Sequence, residues 1–232
     1  MKKILFSTLL LLSMALCNSA YAQATEAETP DTDTEAFDTH IGTMWDLSVG
    51  KKLGPVRLML QQSVFTIDTY MERAMTIFGG DVDIIPTYLK ATALGFYLYH
   101  RSDAGQYRNL LRYHAGLNGA VPTEYITLSW AARYESTYIV GNSTPVDKFR
   151  TRLRMAVNIP NSKFSPFFGA EHFLQVNGED SGETERVWID LGLTYKIDKH
   201  NSVELLARAE NRQLCTPQQW NANFGFAYKI SL

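Results

Sequence analysis

Phe149-Arg150-Thr151-Arg152-Leu153-Arg154-Met155-Ala156-Val157 is the stretch whose reading decides the fold. Side chains alternate between faces along a β-strand, so Phe149, Leu153, Met155 and Val157 make one apolar row and Arg150, Arg152 and Arg154 the opposite, cationic one. Such a ribbon needs an apolar medium on one side and a polar, counter-charged one on the other.

The same period of two recurs along the chain. Ile41, Thr43, Trp45, Leu47 and Val49 alternate with small or polar residues. After Lys51, Lys52, Gly54 and Pro55, the row Val56, Leu58, Leu60 and Val64 resumes opposite Arg57 and Gln61, a hairpin pattern. Further rows are Leu94, Phe96 and Leu98; Tyr107, Leu111, Tyr113, Ala115 and Leu117; and Ile126, Leu128, Trp130, Ala132 and Tyr134. Beyond the 149–157 row come Phe164, Phe168, Ala170 and Leu174; Val187, Ile189, Leu191, Leu193 and Tyr195; Val203, Leu205, Ala207 and Ala209; and Phe224, Phe226, Tyr228 and Ile230. Each run has the roughly ten residues that a tilted strand needs to cross a bilayer. Ten strands are predicted; a hidden strand pair in 68–85 would make twelve.

The ends of the chain give this pattern a setting. Lys2 and Lys3, the apolar run Ile4 to Cys17 and the small residues ending at Ala20, Tyr21 and Ala22 read as a signal peptide over 1–22. Its cleavage would remove Cys17 and leave Cys215 as the only cysteine, so no internal disulfide is expected. It would also leave 20 basic against 24 acidic residues, a balance that implies no nucleic-acid partner. Residues 23–40 are acidic, with Glu26, Glu28, Asp31, Asp33, Glu35 and Asp38, and read as a disordered leader before a barrel over 41–232. At the other end, Phe224, Phe226, Tyr228, Ile230 and Leu232 alternate to the last position. That ending resembles the C-terminal assembly signal of outer-membrane barrels, which implies the barrel-assembly machinery as a partner.

The polar rows carry both signs of charge. Arg133 with Glu135 and Glu171 with Gln175 flank the arginine row, Arg112 shares a face with His114 and Asn118, and Arg186 with Asp190 and Glu204 with Arg208, Glu210 and Arg212 follow. In a soluble sandwich such rows would face water. With an export signal and strands of this length they are assigned to a barrel lumen, where Arg and Glu should pair and largely fill the space. The predicted lumen network is Arg112, Arg133, Glu135, Arg150, Arg152, Arg154, Glu171, Arg186, Asp190, Glu204, Arg208 and Glu210. Trp45, Trp130, Tyr134, Tyr195, Trp220 and Tyr228 on the apolar rows are the predicted interfacial girdle against lipid.

The mature region resembles a family of outer-membrane β-barrels defined only as a domain of unknown function. Trp45 before the turn Lys51-Lys52-Leu53-Gly54, Arg133-Tyr134-Glu135, Arg150-Thr151-Arg152-Leu153-Arg154, Glu171-His172-Phe173 and Tyr195-Lys196-Ile197-Asp198-Lys199 carry the resemblance, over roughly 41–232. It implies the antiparallel transmembrane barrel and the outer membrane of a Gram-negative bacterium, and no activity.

No catalytic site emerges. Lipid A deacylases and phospholipases of the outer membrane set a Ser and a His on the barrel with an orienting acid or amide. Here Glu171 and His172 are adjacent and point to opposite faces, and no serine is tied to His114 or His172. His100 and His200 have no companions at metal-ligand spacing, and no cofactor is implied. The arginine row remains the sharpest candidate, as a path or anchor for small anions, against plain pairing with Glu135 and Glu171. A non-enzymatic barrel acting as a narrow pore or interaction platform is expected; a lipid-modifying hydrolase and a soluble periplasmic barrel for an apolar ligand are the alternatives. The loops at 141–147, 177–185 and 213–218 would be extracellular and both termini periplasmic. Under that count the short turns at 51–55, 160–163 and 197–201 fall on different sides.

Overall fold

The structure is a computed structural model that describes residues 38–102, 105–141, 144–214 and 219–232. The expected signal peptide, most of the acidic segment before the barrel and Cys215 lie outside the described residues. Eleven strands follow one another around a closed barrel. They are β1 (Asp38–Leu53), β2 (Val56–Ile67), β3 (Tyr70–Ile85), β4 (Leu89–Arg101), β5 (Tyr107–Pro122), β6 (Ile126–Ile139), β7 (Val146–Val157), β8 (Phe164–Gln175), β9 (Thr184–Lys196), β10 (Asn201–Arg212) and β11 (Gln219–Ser231). No helix among the described residues is long and apolar enough to cross a membrane, which has no bearing on a barrel.

The count corrects the expectation of ten or twelve. The segment 68–85 holds one strand, β3, and not a pair. Its period is blurred for physical reasons. On its inner face Met75 and Ile77 are apolar and buried, so contrast with the outer Phe78 and Val82 is lost. The register also shifts at Phe65/Thr66 and at Asp83/Ile85, where bulges break the alternation. Between them lie Gly79 and Gly80. Gly79 has φ +137°, and a Cβ on Gly80 would overlap the Arg57 carbonyl oxygen of β2.

An odd number of strands changes the closure. Each neighbouring pair is antiparallel except β1 with β11, which run parallel from Asp38↔Gln219 to Gly50↔Ser231. Leu232 extends the seam by donating its N–H to the Gly50 carbonyl at 2.8 Å. The start of β1 and the end of β11 therefore lie at opposite ends of the barrel, which corrects the expectation that both termini share one side. The first strand also begins earlier than predicted, at Asp38 and not at residue 41.

Eleven strands also dissolve the conflict over turns. The connections at 54–55, 86–88, 123–125, 158–163 and 197–200 all fall at one end, here the short-turn end. Those at 68–69, 102–106, 140–145, 176–183 and 213–218 fall at the other, here the long-loop end. At 197–200 the Asp198 carboxylate accepts from the backbone N–H of His200 at 2.7 Å and of Asn201 at 2.8 Å. The Asn201 side-chain amide adds further bonds and, with the His200 N–H, holds that carboxyl below the usual carboxylate range.

The two faces of the barrel are inverted relative to a water-soluble protein. Leu153, Leu191 and Phe224 point outward and are 61%, 63% and 58% exposed. Inside, Glu135, Glu171, Glu204, Glu210 and Arg150 are buried. One sector of the interior is apolar. Met44, Phe65, Met75, Ile77, Phe96 and Leu98 of β1 to β4 pack together, with Leu206 against them. The row Leu94, Phe96 and Leu98 thus faces inward, and β4 turns Tyr97 and Tyr99 to the outside. A membrane reading alone would send the apolar row out; here both rows of β4 are apolar and tertiary packing chooses between them.

Candidate functional site: a charged lumen chamber

The interior is organised around Arg150. Its neighbours on the flanking strands are Glu135 of β6 and Glu171 of β8. Nη1 donates to Glu135 Oε2 at 2.8 Å, while Nη2 and Nε reach Glu171 Oε1 at 2.7 and 3.0 Å. The same Glu135 oxygen lies 2.6 Å from His114 Nε2, and Arg112 Nε lies 3.3 Å from the other oxygen. Phe173 and Trp188 sit beneath the Arg150 guanidinium at 4.4 and 5.6 Å. Two carboxylates sharing one planar cation, with His114 as a third partner, satisfy charges that would otherwise be costly to bury.

A second assembly lies at the long-loop end and crosses the lumen. Arg212 of β10 reaches Glu72 of β3 at 2.8 Å, although β11, β1 and β2 separate those strands on the barrel wall. Arg212 also meets Glu210 at 2.9 Å; Glu210 meets Arg186 at 2.9 Å; Arg186 meets Glu185 at 2.5 Å; and Glu185 meets Lys148 at 2.8 Å. This unbroken chain of ions runs from β3 to β7 as a belt. Of its members only Arg186 and Glu210 belong to the predicted lumen network; Glu72, Lys148, Glu185 and Arg212 do not. Glu72 lies in the strand that periodicity hides, and the signal for Glu185 is only its place beside Arg186 at a strand start.

The remaining predicted members are distributed between pairs and open space. Asp190 takes Arg208 at 2.7 and 3.0 Å, and Arg208 stacks on Trp188 at 3.9 Å. Glu204 takes Arg154 at 3.0 Å and Lys229 at 2.8 Å. Arg133 contacts no carboxylate among the described residues. Its Nε and Nη2 donate to the Asn118 amide oxygen at 3.2 and 2.8 Å. Asn118 bonds in turn to Thr92, which donates to Asp81 at 2.6 Å. Arg152 has no hydrogen bond or ion pair among the described residues; Glu171 and Asp190 act on it only at a distance. The arginine row therefore splits into a paired Arg150, a paired Arg154 and an unpaired Arg152.

A cavity of about 510 Å³ opens between these groups. Arg112, Arg133, Arg150, Arg152, Arg186 and Arg208 line it from β5 to β10, and β2 to β4 contribute Met59, Phe65, Met75, Ile77, Leu94 and Phe96 together with Arg57, Arg73, Asp81 and Lys90, with Thr87 and Tyr88 of the short-turn end also in the lining. Tyr88 is exposed.

Two of the histidines are held by other side chains. His114 Nε2 is held by Glu135, and His172 Nε2 lies 2.9 Å from Thr184 Oγ1. Among the described residues, neither has a serine as a hydrogen-bond partner. No group of three or more His, Cys, Asp or Glu suited to a metal occurs among the described residues.

The predicted girdle is only partly at strand ends. Trp220 is the second residue of β11, and Tyr195 and Tyr228 lie near the short-turn end. Trp45 is mid-strand, packed on Phe226 at 5.8 Å, and Tyr134 also lies well inside β6. Other exposed tyrosines stand at the strand ends, Tyr88 and Tyr125 at the short-turn end and Tyr70, Tyr99 and Tyr107 at the other.

Fold and interior together define a closed, single-chain β-barrel with an apolar exterior and an ion-paired lumen. The chain belongs to the family described as a protein of unknown function (DUF2490), whose model matches residues 82–221. No curated protein matches the chain.

Proposed function

We propose that the protein is a non-enzymatic barrel of the Gram-negative outer membrane, exported by the segment 1–22, whose lumen is a cationic chamber that admits anions from the short-turn side and is shut at the long-loop end. One observation carries this reading: the outward rows are apolar and exposed while the charges are buried. In water, side chains such as Leu153, Leu191 and Phe224 would each forfeit about 1.5–3 kcal/mol of burial. In a bilayer that surface is solvated. Strands of 12 to 16 residues exceed the roughly 9–11 needed to cross, and tyrosines at both ends suit the two interfaces. Segregation of the connections by length favours placing the short-turn end in the periplasm.

The belt argues for a shut pore. A chain of paired ions across the lumen narrows the aqueous space at that end, and widening it means parting a buried ion pair. Two measurements test the reading together. The protein should be recovered only in the detergent-extracted outer-membrane fraction, and the refolded barrel should give little or no current in a planar bilayer. Recovery in the soluble periplasm without detergent overturns the membrane assignment. A large steady current overturns the shut lumen.

A further inference from the structure

We propose that the lumen chamber binds an amphipathic anion, a molecule with one hydrocarbon chain and a carboxylate or phosphate head, and so that the barrel takes up a lipid-derived or detergent-like solute from the short-turn side. This rests on the chamber described under Proposed function. Three observations carry it.

The chamber has two walls of different chemistry. Strands β2 to β4 supply its apolar side chains, Met59, Phe65, Met75, Ile77, Leu94 and Phe96, with Arg57, Arg73, Asp81 and Lys90 among them, and strands β5 to β10 supply most of the guanidiniums. An inorganic anion would use only the second wall and leave the first in contact with water. A hydrocarbon chain covers it.

Donors are left over. Arg152 has no polar partner among the described residues, and Arg133 spends its bonds on a neutral amide. Arg73, at the edge of the apolar wall, stacks on Phe65 at 4.1 Å and forms no ion pair among the described residues, with its Nε buried and unbonded. Each acid that lines the chamber is already paired: Glu135 with Arg112 and Arg150, Asp81 with Arg57, and Glu185 with Lys148 and Arg186. An incoming anionic head meets spare positive charge with no internal carboxylate to displace.

The volume and shape agree. About 510 Å³ lies within the roughly 300–1,000 Å³ of small-molecule sites. The chamber reaches Thr87 and Tyr88 at the short-turn end and is backed by the ionic belt at the far end, a blind pocket for a chain that enters from one side.

The probe is carboxyl-labelled decanoate, titrated by carbon NMR against the full mature barrel in phosphatidylcholine nanodiscs, with empty nanodiscs as the blank. A saturable, shifted carboxyl resonance is expected. R152Q and R133Q should each weaken binding at least tenfold, and I77S should weaken decanoate while leaving any inorganic phosphate binding unchanged. Decanol should not compete. Arg152 makes no ion pair, so R152Q retains the fold, and heat-modifiable migration on a gel confirms it for each variant. A titration indistinguishable from empty nanodiscs, or unchanged in the R133Q/R152Q double variant, overturns the inference while the membrane reading stands. A barrel that fails to enter nanodiscs refutes the membrane reading instead, and the same titration on the soluble protein then decides the ligand.

Discussion

Glu72 and Arg212 meet at 2.8 Å across the lumen, from strands that three others separate along the wall. A wall contact would only report register. This one ties opposite sides of the barrel and sets the position of a belt that continues through Glu210, Arg186 and Glu185 to Lys148.

Cutting that tie should open the barrel. R212A is expected to turn a silent bilayer trace into a small, anion-biased current and to lower stability by about 3 kcal/mol, the cost of removing one partner from a buried pair. A double-mutant cycle with E72Q and R212Q, read by urea unfolding, should return a favourable coupling; additivity would mean the contact is energetically idle.

The centre should be more sensitive still. Replacing Arg150 by Met leaves Glu135 and Glu171 facing each other without their shared cation, so a loss of about 3–5 kcal/mol is expected in urea unfolding of the folded barrel. R152M, two residues away and unpaired, should cost far less. Equal effects would contradict the division of the arginine row.

The outer face can be interrogated by charge. Leu191 is 63% exposed at mid-strand, and L191R should destabilise the barrel in vesicles by about 2–4 kcal/mol. The same change on a water-facing surface would be near neutral, so unfolding thermodynamics separates the two environments.

Orientation follows from the turns. With Cys215 replaced by Ser, a cysteine introduced by D180C in the 176–183 connection should react with an impermeant maleimide on intact cells, and one introduced by K199C in the 197–200 turn should not. The reverse pattern would invert the proposed topology.

Gly80 tests closure of the strand that periodicity hides. Its missing Cβ lets β3 approach the Arg57 carbonyl of β2, so G80V should cost about 1–3 kcal/mol and lower the folded yield on refolding. A neutral effect would mean that β2 and β3 can move apart freely.

Much of the barrel is legible residue by residue. Strands β7, β9, β10 and β11 contrast sharply between faces, as in Arg150-Thr151-Arg152-Leu153-Arg154, and there alternation finds both the strand and its inward side. The signal fails in β3, and in β4 it finds the strand but not its inward side; their inner rows hold Met75, Ile77, Phe96 and Leu98. Alternation is a difference between rows, and where both rows are apolar the difference vanishes. The site behaves likewise: Glu135, Glu171 and Arg150 sit on adjacent strands and could be matched by sequence order, whereas Glu72 and Arg212 could not.

The amino-acid order alone determined that the chain is all-β, which residues carry the polar rows, and that a barrel with charge on one face is the economical arrangement, because period-two patterning is a local property of the backbone. The strand number, the parallel seam of β1 with β11, the opposition of an apolar wall to a cationic one, and the sparing of Arg133 and Arg152 from ion pairs were decided by closure. They depend on which strands come to face each other across the lumen, and that distance in space has no counterpart along the chain.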